Sequence, residues 1–380
     1  MKVLQLGKFY PIRGGVEKVM YDLTQGLSER GIQCDMLCAC ENDKEIILND
    51  LGHIYCSKSW MKLAATMISP SMIMMLRKMA EKYDVVHVHH PDPMACLALF
   101  LSGYKGKVVL HWHSDILKQK VLLKFFRPLQ QWMVSRADVI VGTTPVYVQQ
   151  SPFLSKVQSK VDYIPIGIQE ILPNEVEVRK IRNRYVGKKI VYSLGRLVGY
   201  KGYGYLIDAA RYLSDDYVVL IGGEGPQKEE LIQQIRKQGL ESKVELLGYI
   251  EEHDSANYFG ACDVFCLSSV WKTEAFAIVQ VEAMCCGKPV VATNISGSGV
   301  SWVNLHEYSG LNVPTADAKA LARAIEALIE NPEAYQKYGR QARNLYESRY
   351  TYEQMIERCI ALYGRLFDNN NNNNNNNGRK

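Results

Sequence analysis

The chain has 380 residues, too many for one ordinary hydrophobic core and enough for two domains of comparable size. Its 47% apolar and 22% charged residues are those of a globular protein, and no apolar run approaches the roughly 18 residues needed to cross a bilayer. The net charge of +5 is too mild for a nucleic-acid footprint, which excludes that partner, but it is compatible with touching an anionic membrane.

Lys8 interrupts the opening apolar run before a signal-peptide core can form, so a cytoplasmic location is expected. The ten cysteines contain no Cys-x-x-Cys. Cys34, Cys38, Cys40 and Cys56 lack paired zinc spacing, and reduced, buried thiols are expected.

Short runs rich in Val and Ile alternate with helical patterns along the chain. Val3–Leu6, Val85–Val88, Val108–Trp112 and Val139–Val141 read as buried parallel strands of one sheet. Amphipathic periodicity places a helix over Val16–Arg30. After the strand Val161–Pro165 the pattern breaks near Ile168–Val178, where Gly167, Pro173 and Asn174 interrupt it. A second series follows, with strands Ile190–Leu194, Tyr217–Ile221, Val244–Leu247, Val264–Leu267 and Pro289–Ala292, and helices over Gln227–Gln238 and Ala316–Ile329. Such alternation implies two doubly wound α/β sheets in tandem, with ligands at the carboxyl ends of the strands and a cleft between them as the expected site. The expected division is 1–172, 173–350, a last helix within 351–368, and a disordered low-complexity tail over 369–380.

Three motifs carry chemistry. Gly14-Gly15 lies between the first strand and the first helix, where close backbone approach and a helix N-terminus suit a phosphate; a tight turn alone explains it equally well. Gly195-Arg196 and Lys201-Gly202 follow the strand ending at Leu194. There a guanidinium and an ammonium five positions apart can converge on one diphosphate, with solvated surface charges as the alternative. Glu274 is placed at a helix start, so that the free amides of Ala275, Phe276, Ala277 and Ile278 face a ligand, with Glu282 about 12 Å along the axis. One carboxylate then holds sugar hydroxyls and the other a ribose; an acidic helix start is otherwise a favourable dipole interaction. No Asp-x-Asp occurs, so no metal is expected on the diphosphate.

Together these motifs, with His113-Ser114-Asp115, the run Gly222 to Pro226, and Ala283, Gly287, Pro289 and Val290, resemble glycosyltransferase family 4. The resemblance implies a GT-B fold, two Rossmann-like domains facing across a cleft with the C-terminal helix (about Tyr352–Leu366) crossing back to the first. It implies retaining transfer of a hexose from a nucleotide-diphosphate sugar, with no cofactor. Arg196 and Lys201 are then expected to neutralise the diphosphate, Glu282 to bind the ribose, and Glu274 with the amides behind it to hold the sugar. His113 is expected at the reacting face, Gly14 and Gly15 near phosphate or acceptor, and Gly223 and Gly225 to shape the nucleotide side. The loop Ser296–Ser301 departs from the family pattern and receives no role.

A strand-end histidine is otherwise commonly structural, and only one of His111 and His113 is expected on the site's side of the sheet. His87, His89 and His90 are read as mainly structural rather than metal ligands, with His90 or Asp92 as candidate cleft residues. The basic, apolar segments Trp60–Met79 and Ile116–Arg136 suit either packing on a sheet or lying on a membrane. On the second reading the acceptor is a lipid-linked saccharide, as in the bacterial O-antigen and capsule assembly enzymes that this chain looks like. A GDP-mannose-type donor is preferred over UDP-sugars on the same resemblance. A GT-B epimerase or phosphorylase, or a catalytically silent sugar-binding protein, are the alternatives.

Overall fold

A computed structural model of the chain describes residues 1–63, 66–116 and 120–376. The chain divides into two compact units, Met1–Ile166 together with the chain from Tyr352 onward, and Gly167–Thr351.

The first unit is built on an eight-stranded sheet. In spatial order its strands are Val161–Tyr163, Val139–Gly142, Lys107–Trp112, Val85–His90, Lys2–Phe9, Gln33–Cys40, Gly52–Lys58 and Lys44–Asn49. All neighbours run parallel except the outermost pair, in which Lys44–Asn49 turns back against Gly52–Lys58. The inner strands are buried at consecutive residues, as when helices cover both faces of a parallel sheet. The sequence reading missed Gln33–Cys40, whose apolar content is carried by cysteines, and the two strands that follow it.

Those strands overturn one expectation. They bring Cys40 beside Cys56 with Cα atoms 5.3 Å apart, and the two form a disulfide, while the other eight cysteines are free. A pairing across strands 16 residues apart leaves no mark in local spacing. Trp60–Met79, one of the two basic, apolar segments, is not a single element. It forms a hairpin, Met61–Leu63 with Thr66–Ile68, and then the helix Pro70–Met79, which begins where Pro70 suits the first turn.

The last helix, Tyr352–Asn376, belongs to the first unit. Tyr352 donates to the carbonyl of Asp22 at 3.1 Å, and Tyr363 is buried in the unit's core. The helix runs on through Asn376, into the stretch expected to be a disordered tail, because extending an existing helix is far easier than nucleating one.

The second unit carries a six-stranded, all-parallel sheet. Its order is Val244–Gly248, Tyr217–Gly222, Lys189–Leu194, Val264–Leu267, Val290–Asn294 and Gly310–Pro314. Chain order therefore reverses between Lys189–Leu194 and Val264–Leu267. The loops leaving these two strands diverge there, and such a switch point is where open α/β sheets bind ligands. Among the described residues no helix is long and apolar enough to cross a membrane.

Candidate active site

The two loops that leave the switch point carry Lys201 and Glu274. The loop after Leu194 closes in a short turn, Gly199–Lys201, and Gly202 then adopts φ 67°. A side chain at Gly202 would put its Cβ 2.2 Å from the Ser268 carbonyl oxygen, so only glycine lets the two loops touch. Val270 N–H donates to Tyr200 O at 2.8 Å, and Ser268 Oγ donates to Lys201 O at 2.9 Å. Gly223 supports the same loop from the other side: a Cβ there would meet Gly195 O at 1.9 Å. A Cβ at Gly225 would meet Leu197 O at 2.4 Å, and Leu197 N–H donates to Glu224 O at 2.9 Å.

Lys201 Nζ lies 2.6 Å from Glu274 Oε2, with each side chain only 10% exposed. Ser269 Oγ donates to the same carboxylate oxygen at 2.8 Å. Burial alone would push the ammonium's pKa down, but the charge of Glu274 and the nearby Tyr203 and Tyr200 leave it raised, so Lys201 stays charged. Arg196 is exposed, and its guanidinium makes no hydrogen bond or ion pair among the described residues. The fixed cation and the free one thus sit on one glycine-rich loop.

Glu274 does not begin a helix. The helix starts at Ile278, and Glu274, Ala275, Phe276 and Ala277 form the loop before it, with Ala277 at φ 62°. Only Ile278, of the four amides expected at a helix start, lies in the first turn. The left-handed residue breaks the run, so the separation of Glu274 from Glu282 is not that of two turns of one helix. Glu282 lies half-buried on that helix, where its charge raises the pKa of Tyr192, itself already raised by burial.

The loop is held from behind by residues the sequence reading left without a role. Ser298 Oγ donates to Glu274 O, and Gly299 N–H donates to Ala275 O at 3.0 Å. Gln280 Nε2 donates to Phe276 O at 2.7 Å, and Thr293 Oγ1 donates to Ser269 O. The departure at Ser296–Ser301 is therefore a buttress for Glu274. Ser269 and Gln280 left no signal, because a serine after a strand and a glutamine inside a helix are common everywhere.

In the first unit, Gly14 is the N-cap of the helix Gly15–Glu29, directly after the first strand and its loop. His113 follows the strand Lys107–Trp112 and is 5% exposed. Its neighbour Asp115 locks the loop, accepting from Trp112 Nε1 at 2.9 Å and from Ser151 Oγ at 2.7 Å. Asp92 is a helix cap rather than an open carboxylate, accepting from the amides of Met94 and Ala95 at 3.0 and 3.2 Å. His90 lies flat on Trp112, ring centroids 3.7 Å apart, within 3.1 Å of Gln130 Nε2.

The expectation that His111 and His113 part company is wrong. Residues two apart share a face of a strand, and their rings stack 4.0 Å apart. Gln5 Oε1 accepts from His89 Nε2–H at 2.8 Å, and His113 Nε2–H donates to His89 Nδ1 at 2.9 Å. Gln5 Nε2 donates to Tyr363 Oη at 3.2 Å, whose hydroxyl donates to His87 Nδ1 at 2.6 Å. Burial, then the neighbouring histidines and Lys8, drives the pKa of His113 well below its ordinary value, so the ring is neutral.

Both units thus place candidate groups at the carboxyl ends of central strands in the nucleotide-binding α/β manner. Residues 174–345 match the model for "Glycosyl transferases group 1", and residues 13–170 match that for "Glycosyltransferase Family 4". The chain is 32% identical to O-antigen chain mannosyltransferase C of Escherichia coli, over 97% of this chain and 100% of the relative. It is 31% identical to a D-rhamnosyltransferase of Pseudomonas aeruginosa, over 92% of each chain. The chain belongs to glycosyltransferase family 4, and it is a glycosyltransferase. Its fold is GT-B: sucrose-phosphate synthase from Thermosynechococcus elongatus superposes with a TM-score of 0.78 at 20% identity, covering 97% of this chain and 100% of that one. Anabaena HepE in complex with UDP does so at 0.76 and 20% identity, over 96% of this chain and 100% of that one.

Proposed function

We propose that the chain is a retaining hexosyltransferase that moves a sugar from a nucleotide diphosphate, of the GDP-mannose type, to a lipid-linked saccharide in cell-surface polysaccharide synthesis. The carrying observation is the buried Lys201–Glu274 pair at the second sheet's switch point, with Arg196 exposed on the same loop and unpaired among the described residues. As the bond to the sugar lengthens, negative charge grows on the departing diphosphate. Cations fixed on that phosphate stabilise the transition state more than the ground state, with no metal required. Glu274 steadies Lys201 and offers its carboxylate to sugar hydroxyls, while Glu282 serves the ribose. His113 and the Gly14-Gly15 loop are assigned to the reacting face and the acceptor. Same-face attack, assisted by the donor phosphate, then retains the anomeric configuration. The mannosyl and rhamnosyl names of the two relatives support the donor preference.

Contact with an anionic membrane is supported by charge. Ser59–Ala80 contains no Asp or Glu, and Pro93–Ala137 contains only Asp115, which is buried. Trp60, Met74, Phe100 and Phe125 are 73%, 63%, 48% and 81% exposed there, beside Arg77, Lys78 and Lys124. Exposed apolar side chains in segments rich in cations and poor in acids suit an anionic lipid surface.

Purified protein tests the proposal with GDP-mannose and UDP-glucose, a lipid-linked acceptor and EDTA. Transfer from GDP-mannose that survives EDTA and gives a retained anomer by NMR supports it. Loss of turnover in EDTA, or an inverted product, overturns it. Flotation with anionic vesicles should carry the protein upward at low salt, and its absence removes the membrane reading.

A further inference from the structure

Four imidazoles occupy one face of the first sheet. His89 is opposite His111 in the parallel register of Val85–His90 and Lys107–Trp112, and His87 and His113 lie two residues away on the same face. All are at most 5% exposed, and their neighbouring centroids are 4.0 to 5.4 Å apart. Aliphatic side chains would fill such a core face without unsatisfied groups.

Three features of this stack point to a ligand. First, Gln5 Oε1 takes the Nε2 proton of His89, which turns the Nδ1 lone pair toward the cluster. Metal-bound histidines are oriented by such a bond from their other nitrogen. Second, His113 Nε2 converges on that same lone pair at 2.9 Å. Third, His111 is 1% exposed, and neither of its ring nitrogens has a hydrogen-bond partner among the described residues. Buried nitrogens left unpaired in this way are unfavourable, and a ligand relieves the penalty.

One nitrogen from each of His89, His111 and His113 lies within 4.8 Å of the other two. A tetrahedral ion at 2.0–2.1 Å from each nitrogen needs them about 3.4 Å apart, within reach of small ring rotations. We propose that His89, His111 and His113 form a three-imidazole site for a divalent transition metal ion such as Zn(II) or Co(II), with its fourth position left to water or an anion. Imidazole sets of this kind suit Zn(II) and its first-row neighbours, and do not suit Mg(II) or Ca(II). Binding moves the His113 proton from Nε2 to Nδ1, so the ring stays neutral and no proton is lost. Lys8 repels a cation here, and Asp92, close to Lys8, offsets part of that repulsion.

The ion holds His113 by the nitrogen that now bonds His89 and changes the face His113 offers. Occupancy therefore inhibits transfer, a consequence that rests on the role proposed for His113. The site itself does not depend on that role.

Full-length protein, stripped with a chelator, is titrated with Co(II) alone. One equivalent should give the visible bands of four-coordinate Co(II) without thiolate charge transfer in the near ultraviolet. His111→Gln should lose those bands at the same concentration, and His87→Gln, in the stack but outside the triad, should keep them. Should His111→Gln fail to fold, wild-type paramagnetic NMR decides: three shifted imidazole N–H signals are expected. No saturable band, a band that survives His111→Gln, or thiolate charge transfer from a free cysteine overturns the site. Zn(II) should suppress transfer by at least tenfold at one equivalent. Undiminished transfer with the Co(II) bands intact removes the inhibitory role only, and a protein that transfers nothing tests the function and not the metal site.

Discussion

Lys201 and Glu274 in the second unit and the stacked histidines in the first are both polar groups taken out of water, yet they are satisfied in opposite ways. The pair keeps its charges because each partner supplies what the other lost, and Ser269 fills in on the carboxylate. The histidines carry no charge at all. Burial holds them neutral, and a chain of hydrogen bonds through Gln5 and Tyr363 uses some of their nitrogens while leaving His87 Nε2 and both nitrogens of His111 without partners among the described residues. A charged pocket demands its partners at once; a neutral one can wait for a ligand.

Breaking the charged half should have the largest effect. Lys201→Ala leaves the Glu274 carboxylate buried without its cation and should destabilise the protein by about 3–5 kcal/mol. Turnover should also fall by roughly 10²–10³-fold, as when one preorganised donor is removed. Denaturant unfolding and steady-state kinetics separate the two losses. Arg196→Ala should lower turnover by roughly the same factor while leaving the melting temperature alone, because the exposed guanidinium bonds nothing among the described residues. Equal loss of stability in both variants would break the contrast.

The glycine contact beneath the loop comes next. Gly223→Ala drives a methyl against Gly195 O and should destabilise by about 1–3 kcal/mol, read from the denaturation midpoint. Donor affinity should fall with it if that contact sets the Arg196–Lys201 loop.

Acid sharpens the neutral half. Burial pushes the His90 and His111 pKa values down from 6.5 to about 3. Above pH 6.5 both are neutral whether folded or not. As pH falls below 6.5 the unfolded chain takes up protons that the folded chain refuses. Stability should then drop by about 1.4 kcal/mol per pH unit for each such histidine, down to about pH 3. Urea titrations at stepped pH measure the slope, and His111→Gln should make it shallower.

The smallest effect is expected from Ser298→Ala, which removes one hydrogen bond to the Glu274 carbonyl and should destabilise by about 1 kcal/mol. A greater loss in sugar affinity than in stability would show that the buttress tunes Glu274.

The sequence by itself determined the two α/β units and most of their central strands, because consecutive buried Val and Ile leave a pattern that needs no partner to be read. It also offered the strand-end glycines, Arg196 and Lys201 as candidates, since two cations on a glycine-rich loop suit a diphosphate, and Glu274 as a candidate for sugar hydroxyls. Tertiary structure alone decided that Lys201 bonds Glu274, that the helix waits until Ile278, that Cys40 meets Cys56, and that His111 stands beside His89. Each of these is a meeting of residues far apart in the chain or a bend at a single dihedral. Register and loop closure settle such things, and neither is written in local periodicity.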